Sequence, residues 1–117
     1  MSRDYRLFLE DIQISCEKIL RYVQGLTLEQ FIEDEKSYDA VVRNLEVIGE
    51  AVKSIPDETR QKYADVEWRK IGGLRDVVIH EYFGIDNEIL WDVIQNRVPE
   101  LLDQVKRIMI DENDSAL

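Results

Sequence analysis

The stretch GGLRDVVIHEYFGID, residues 72–86, contains the only histidine of the chain, His80, five residues after Arg75 and two before Tyr82. These residue types suit chemistry at a phosphate. An imidazole with a pKa near ~6.5 takes or gives a proton at neutral pH. A guanidinium stays positive and forks onto phosphate oxygens. General acid–base help is worth roughly 100- to 10,000-fold, and stabilising transition-state charge can match or exceed it. The two roles suffice to cleave RNA without a metal. His80 would take the proton of a ribose 2′-hydroxyl, and Arg75 would hold the charged phosphorus centre. DNA lacks that hydroxyl and would not react this way. No cofactor is implied, and no paired Cys/His spacing suggests a metal site.

One regular helix does not aim all three side chains at a common atom. At about 100° per residue, Arg75 and Tyr82 align within ~20°, whereas His80 lies about 140° round from Arg75. They converge only if the helix ends or bends near His80, which Gly84 permits, or if a second copy supplies the missing side. In a homodimer whose two-fold axis passes close to the motif, the twin histidine could protonate the leaving oxygen. Composition and spacing also admit plainer readings: His80 as a capping residue, Arg75 as a surface ion-pair residue, and Tyr82 and Phe83 as core or interface aromatics.

The elements that must position these residues read as helices. Leu7, Leu9, Ile12, Cys16, Ile19, Leu20 and Val23 recur at three- and four-residue spacing, predicting a helix from residue 3 to about 24 that stops at Gly25. Thr27 with Gln30 forms a capping box for a short helix over 28–33. After the acidic stretch EDEK, a third helix runs from 37 to about 54, its broad face made by Tyr38, Val41, Val42, Leu45, Ile48, Gly49 and Val52. Pro56 suits the first turn of another short helix. A fourth principal helix is expected from about Val66 to Tyr82. Asp86 can cap a last helix over about 87–110, kinked or broken near 95–99 by Pro99. The polar tail, 110–117, is expected to fray. No run alternates with period two between turns. The fold expected is all-α: an up-and-down bundle of four main helices plus one or two short ones, in a single domain over 1–117. Gly49, Gly72 and Gly73 inside helices point to close helix–helix approach.

Charge limits the partners. The chain of 117 residues has a net charge of −10, which by itself disfavours nucleic acid, because phosphate contacts come from Lys and Arg. The distribution is uneven. Residues 1–59 hold 7 basic and 13 acidic side chains, residues 60–80 hold 5 and 3, and residues 81–117 hold 3 and 9. The one non-acidic window leads up to His80, and its Arg69 and Lys70 are candidate RNA contacts. Cys16 has no partner for an internal disulfide and fits a reducing cytoplasm. The opening MSRDYRLFLE has charges where a signal peptide needs an apolar run. No segment is apolar enough to span a membrane.

The string IGGLRDVVIHEYFGID resembles the signature of the HepT-like toxins of the HEPN superfamily: Arg, four residues, His, one residue, Tyr. Arg75, His80 and Tyr82 fill it, and Asp76 takes the polar position after the arginine. RNLEVIGEAVK, residues 43–53, and Trp68 followed by GGLR also match. The resemblance implies a homodimeric, metal-independent endoribonuclease, the toxin of a toxin–antitoxin pair, with the two motifs facing each other across a cleft. It also implies a nucleotidyltransferase antitoxin of the MNT type that adds AMP to the motif tyrosine, here Tyr82. Added adenylate would bring bulk and negative charge to the space an RNA phosphate must occupy.

Asp76, and Asn44, Glu46 and Glu50 on the third helix, have open roles. Asp76 could steer the Arg75 guanidinium or hold RNA at a distance. Asn44, on an otherwise apolar face, could hydrogen-bond into the cleft. Glu50 or Glu46 could orient His80 or raise its pKa, or simply pair with Arg43. A reading of another class also stands: a non-catalytic helical module that docks on a nucleotidyltransferase and tunes it.

Overall fold

The computed structural model describes residues 5–74 and 86–116. Every regular element among them is helical: α1 (Arg6–Val23), α2 (Leu28–Glu33), α3 (Glu35–Lys53), α4 (Asp57–Lys62), α5 (Trp68–Gly72), α6 (Asn87–Asp92), a π-helical turn (Val93–Arg97) and α7 (Val98–Ala116). The fold is an all-α bundle. Three of its described helices are long. The fourth principal helix expected from the sequence falls largely outside the described residues. Its start is interrupted, because α5 ends at Gly72 with a turn at Gly73. Two consecutive glycines are the weakest helix formers in that stretch.

Local signals account for most boundaries. Thr27 and Gln30 close the capping box in both directions, at 2.9 and 3.2 Å. Gly25, with φ of +79°, is the left-handed residue after α1. Only Asp34 separates α2 from α3, so α3 begins two residues earlier than the spacing suggests. The Asp34 carboxylate accepts from the Ser37 amide at 3.2 Å and the Ser37 hydroxyl at 2.8 Å. Pro56 precedes α4 as its N-cap.

α1 lies between α3 and α7, and α3 also meets α2 and α5. Leu9, Ile12, Cys16 and Ile19 of α1 are fully buried with Val41, Ile48 and Val52 of α3 and Ile94 and Val105 of the closing helix. These residues belong to one connected apolar cluster. Each side chain of this size stabilises the fold by about 1.5–3 kcal/mol on burial. Leu7, expected on the buried face, is 43% exposed, and Ser15 takes a buried place instead. Burial pushes the Cys16 thiol up to about 12, with Glu17 adding to the effect. It is an inert core residue.

The closing helix departs from regular α geometry at residues 93–97, overlapping the stretch where a kink or break was expected, and its end corrects another expectation. Pro99 does not break it. The chain instead widens for one turn, and the Val98 amide donates to the carbonyl of Val93, five residues back. Pro99 has no N–H and its ring crowds the carbonyl four residues earlier, so a wider turn just upstream absorbs the mismatch. Nor does the helix stop near residue 110. It reaches Ala116, and Glu112 is buried. Glu112 accepts from the Tyr5 hydroxyl and from Lys62 Nζ at 3.2 Å, while Tyr63 donates to Asp111. These bonds tie α7 to the start of α1 and to the end of α4.

Burial raises the Glu112 carboxyl, but the bonds from Tyr5 and Lys62 outweigh it and leave the group below its ordinary 4.5. A carboxyl lowered by folding stabilises above its unfolded pKa and loses that contribution as pH falls through the folded one. Glu112→Gln is therefore expected to cost about 1–2 kcal/mol at neutral pH, and the gap from wild type should close as pH drops below 4.5. Thermal unfolding followed by circular dichroism from acid to neutral pH checks this; a gap independent of pH contradicts it.

Candidate functional site

Arg75, Asp76, His80 and Tyr82, with Phe83 and Gly84, lie outside the described residues. The structure does describe what holds the two flanks of that segment. On the upstream side, Trp68 is buried and its indole N–H donates to the Tyr63 carbonyl at 3.0 Å. Gly72 faces α3, where an added Cβ would meet Val52 Cγ1 at 3.6 Å and Lys53 Cγ at 3.8 Å. Those are ordinary contact distances, so α3 comes close to Gly72 without demanding a glycine there. Arg60 reinforces this corner, donating to the carbonyls of Ile55 at 3.0 Å and Val52 at 2.7 Å. Ile71 and Leu74, half-buried, rest on the core.

On the downstream side, Asp86 caps α6 as expected, accepting from the amides of Glu88 at 2.9 Å and Ile89 at 3.3 Å. Tyr38 of α3 donates to Asn87 Oδ1 at 2.7 Å. The buried ring of Phe31 lies 5.2 Å from Tyr38 and 5.3 Å from Trp91, centroid to centroid. Both flanks of residues 75–85 are thus fastened to α3, the upstream one near its end and the downstream one near its beginning.

The remaining candidates scatter. Among the described residues, Asn44 Nδ2 donates to the Ala40 carbonyl one turn back, at 2.7 Å, and the cleft it was expected to reach lies outside them. Glu50 is exposed on α3 and shares a shallow hollow with Phe8, Asp11, Arg43 and Glu46. Arg43 pairs with Glu46 at 3.6 Å, the ion-pair reading weighed for it. Arg69 and Lys70 are exposed on α5. Lys70 Nζ sits 2.8 Å from Glu67, whose other carboxylate oxygen is 3.2 Å from the Arg97 guanidinium. Hydrogen bonding from Lys70 first, and then the charges of Lys70 and Arg97, hold the Glu67 carboxyl below its usual range. Arg97 was not singled out from the sequence. Thirty residues separate it from Glu67, and only the wide turn before Pro99 hints at special geometry there.

Comparison with known proteins decides the family. The ribonuclease HepT-like profile matches residues 12–108, a stretch that takes in α3, α5, the whole Arg75–Tyr82 string and most of α7. The chain belongs to the ribonuclease HepT-like family. It is 46% identical over 107 residues to a protein of Caldanaerobacter subterraneus subsp. tengcongensis named as a candidate RNase, covering 92% of this chain and 96% of that one. A protein of Methanocaldococcus jannaschii, named in the same way, is 42% identical over 109 residues, covering 93% and 90%. A protein of Thermococcus cleftensis named "Probable ribonuclease HepT" is 35% identical over 108 residues, covering 92% and 98%. No solved structure matches the chain.

In this HepT-like chain a capping side chain, Asp86, holds the first turn of the helix downstream of the motif. Asp86→Ala is expected to cost about 1 kcal/mol and to speed hydrogen exchange at the Glu88 and Ile89 amides that Asp86 now holds. Chemical denaturation and amide exchange measure both effects. Unchanged exchange at those two amides would remove the cap from the account.

Proposed function

We propose that this chain is a metal-independent endoribonuclease, the toxin of a toxin–antitoxin pair, working as a homodimer. The observation that carries the reading is the family match over residues 12–108, a stretch that contains Arg75, His80 and Tyr82 in the spacing of the signature the chain resembles. His80 acts as proton acceptor or donor at the ribose 2′-hydroxyl and the leaving oxygen. Arg75 holds the phosphate and the charge that grows on it. Asp76 steers the guanidinium. The partner copy closes the cleft, supplying the side that one regular helix does not present. Arg69 and Lys70, both exposed on α5, are proposed RNA contacts. Asn44 and Glu50 belong to the helix to which both flanks are fastened. Among the described residues no helix is long and apolar enough to cross a membrane, and the proposed site of action is the cytoplasm.

The proposed partner is a nucleotidyltransferase antitoxin that transfers AMP to the Tyr82 hydroxyl. The phenol oxygen attacks the α-phosphorus of ATP and pyrophosphate leaves. The product places a phosphodiester and a purine beside Arg75 and His80, and RNA is excluded by charge and bulk.

Incubating wild type, His80→Ala and Arg75→Ala with total RNA in the presence of EDTA tests the nuclease. Cleavage by wild type is expected, with a loss of at least about 100-fold in either variant. Three inert proteins that still bind a nucleotidyltransferase would instead establish the non-catalytic docking module. Co-expression with the cognate transferase is expected to add the mass of one or more AMP groups to wild type and none to Tyr82→Phe. AMP found by intact mass spectrometry on the phenylalanine variant moves the modification elsewhere.

A further inference from the structure

We propose that the groove between α5 and the π-helical turn is a subsite for one nucleotide of single-stranded RNA, with Lys70 and Arg97 as its phosphate clamp and Glu67 as a built-in stand-in for that phosphate. This rests on the ribonuclease reading above. Glu67 offers one carboxylate oxygen to each cation: Oε2 lies 2.8 Å from Lys70 Nζ and Oε1 3.2 Å from the Arg97 guanidinium. Two cations from different helices therefore converge on one anionic group. Both remain open to solvent, Lys70 at 76% and Arg97 at 56%, so an anion arriving from outside reaches them. Exposed ion pairs contribute little net stability. Exchanging the Glu67 carboxylate for a phosphate is correspondingly undemanding, and counterion release from the RNA favours it.

Beside this clamp lies a cavity of about 120 Å³, lined by the apolar Ile71, Leu74, Val93 and Leu101 and by the polar Glu100 and Gln104. A nucleotide is an anion joined to a flat ring with apolar faces and a polar edge. The groove provides a counterpart for each part: two cations, an apolar lining and polar side chains. A base can lie against that lining only if it is unstacked and unpaired, so the matching substrate is a single strand. Glu100, which also lines the cavity, disfavours a second phosphate beside it. Leu74, which lines the groove, is the residue immediately before Arg75 in the chain.

The test uses a fluorescent 2′-O-methyl RNA strand, which cannot be cleaved through its 2′ oxygen, and reads anisotropy against salt. Wild type is expected to bind the strand and to bind the same sequence less well once annealed into a duplex. In Lys70→Gln/Arg97→Gln, affinity should fall roughly three- to tenfold and the slope of log affinity against log salt by about 1. Glu67→Gln should tighten binding. Circular dichroism confirms that the variants, all changed at exposed positions, are folded. Equal affinity for strand and duplex, or a double variant that binds like wild type, overturns the subsite. So does a groove that binds no RNA but whose double variant loses a co-expressed protein, since that assigns it to a protein partner. The readout does not depend on turnover. Cleavage of natural RNA alongside an unaffected double variant sinks the subsite alone; strand binding by Lys70 and Arg97 without any cleavage sinks the nuclease reading and leaves the subsite in place.

Discussion

Helix α3 has to satisfy several neighbours at once, and the rest of the architecture depends on that. Val41, Leu45, Ile48 and Val52 bury its apolar face in the core shared with α1. Near its end Val52 faces α5 across Gly72. Near its beginning Tyr38 reaches α6 through Asn87 and stacks on Phe31 of α2. Interiors at this density transmit displacement instead of absorbing it. A shift of α3 against α1 therefore moves both flanks of the segment that carries Arg75, His80 and Tyr82. A chemistry that needs an imidazole and a guanidinium within a few tenths of an ångström of their working positions depends on that kind of fastening.

The closing helix contributes in another way. Pro99 sits inside it, and a wide turn upstream absorbs the missing hydrogen bond. An extra residue in a helix rotates every later side chain by roughly 100° about the axis. Within that wide turn, Arg97 projects to Glu67 on the loop before α5. Wide turns of this kind recur at functional sites. Beyond Pro99 the helix is held at its far end by Glu112, whose carboxylate is bound by Tyr5 and Lys62. Burying it costs desolvation, and these two donors offset that.

An acidic protein acting on RNA must solve an electrostatic problem, since a net charge of −10 repels the substrate at long range. Several of its surface cations are engaged by its own carboxylates: Arg43 by Glu46, and Lys70 and Arg97 by Glu67. Pairs at the surface are weak and exchangeable, so such cations stay available to a stronger anion. What matters at the site is the local arrangement of charge within a Debye length, about 8–10 Å at ordinary salt, and less the sum over the chain.

The amino-acid sequence by itself determined where most helices begin and end. The signals are local: the Thr27–Gln30 box and Asp86 bond backbone amides within one turn, Gly25 takes a positive φ, and Pro56 precedes α4 with its own φ fixed. It also determined the family, because the string around Arg75, His80 and Tyr82 is contiguous. Only the tertiary structure decided that Leu7 faces water while Glu112 is buried, that Asn44 bonds back to its own helix, and that Arg97 meets Glu67. A 3.6-residue period tells which side of one helix is apolar. It does not tell how far along its neighbours that helix slides, or which turn of a distant segment comes to rest against it. Those choices are made by the joint packing of α1, α3 and α7, whose contacts span most of the chain.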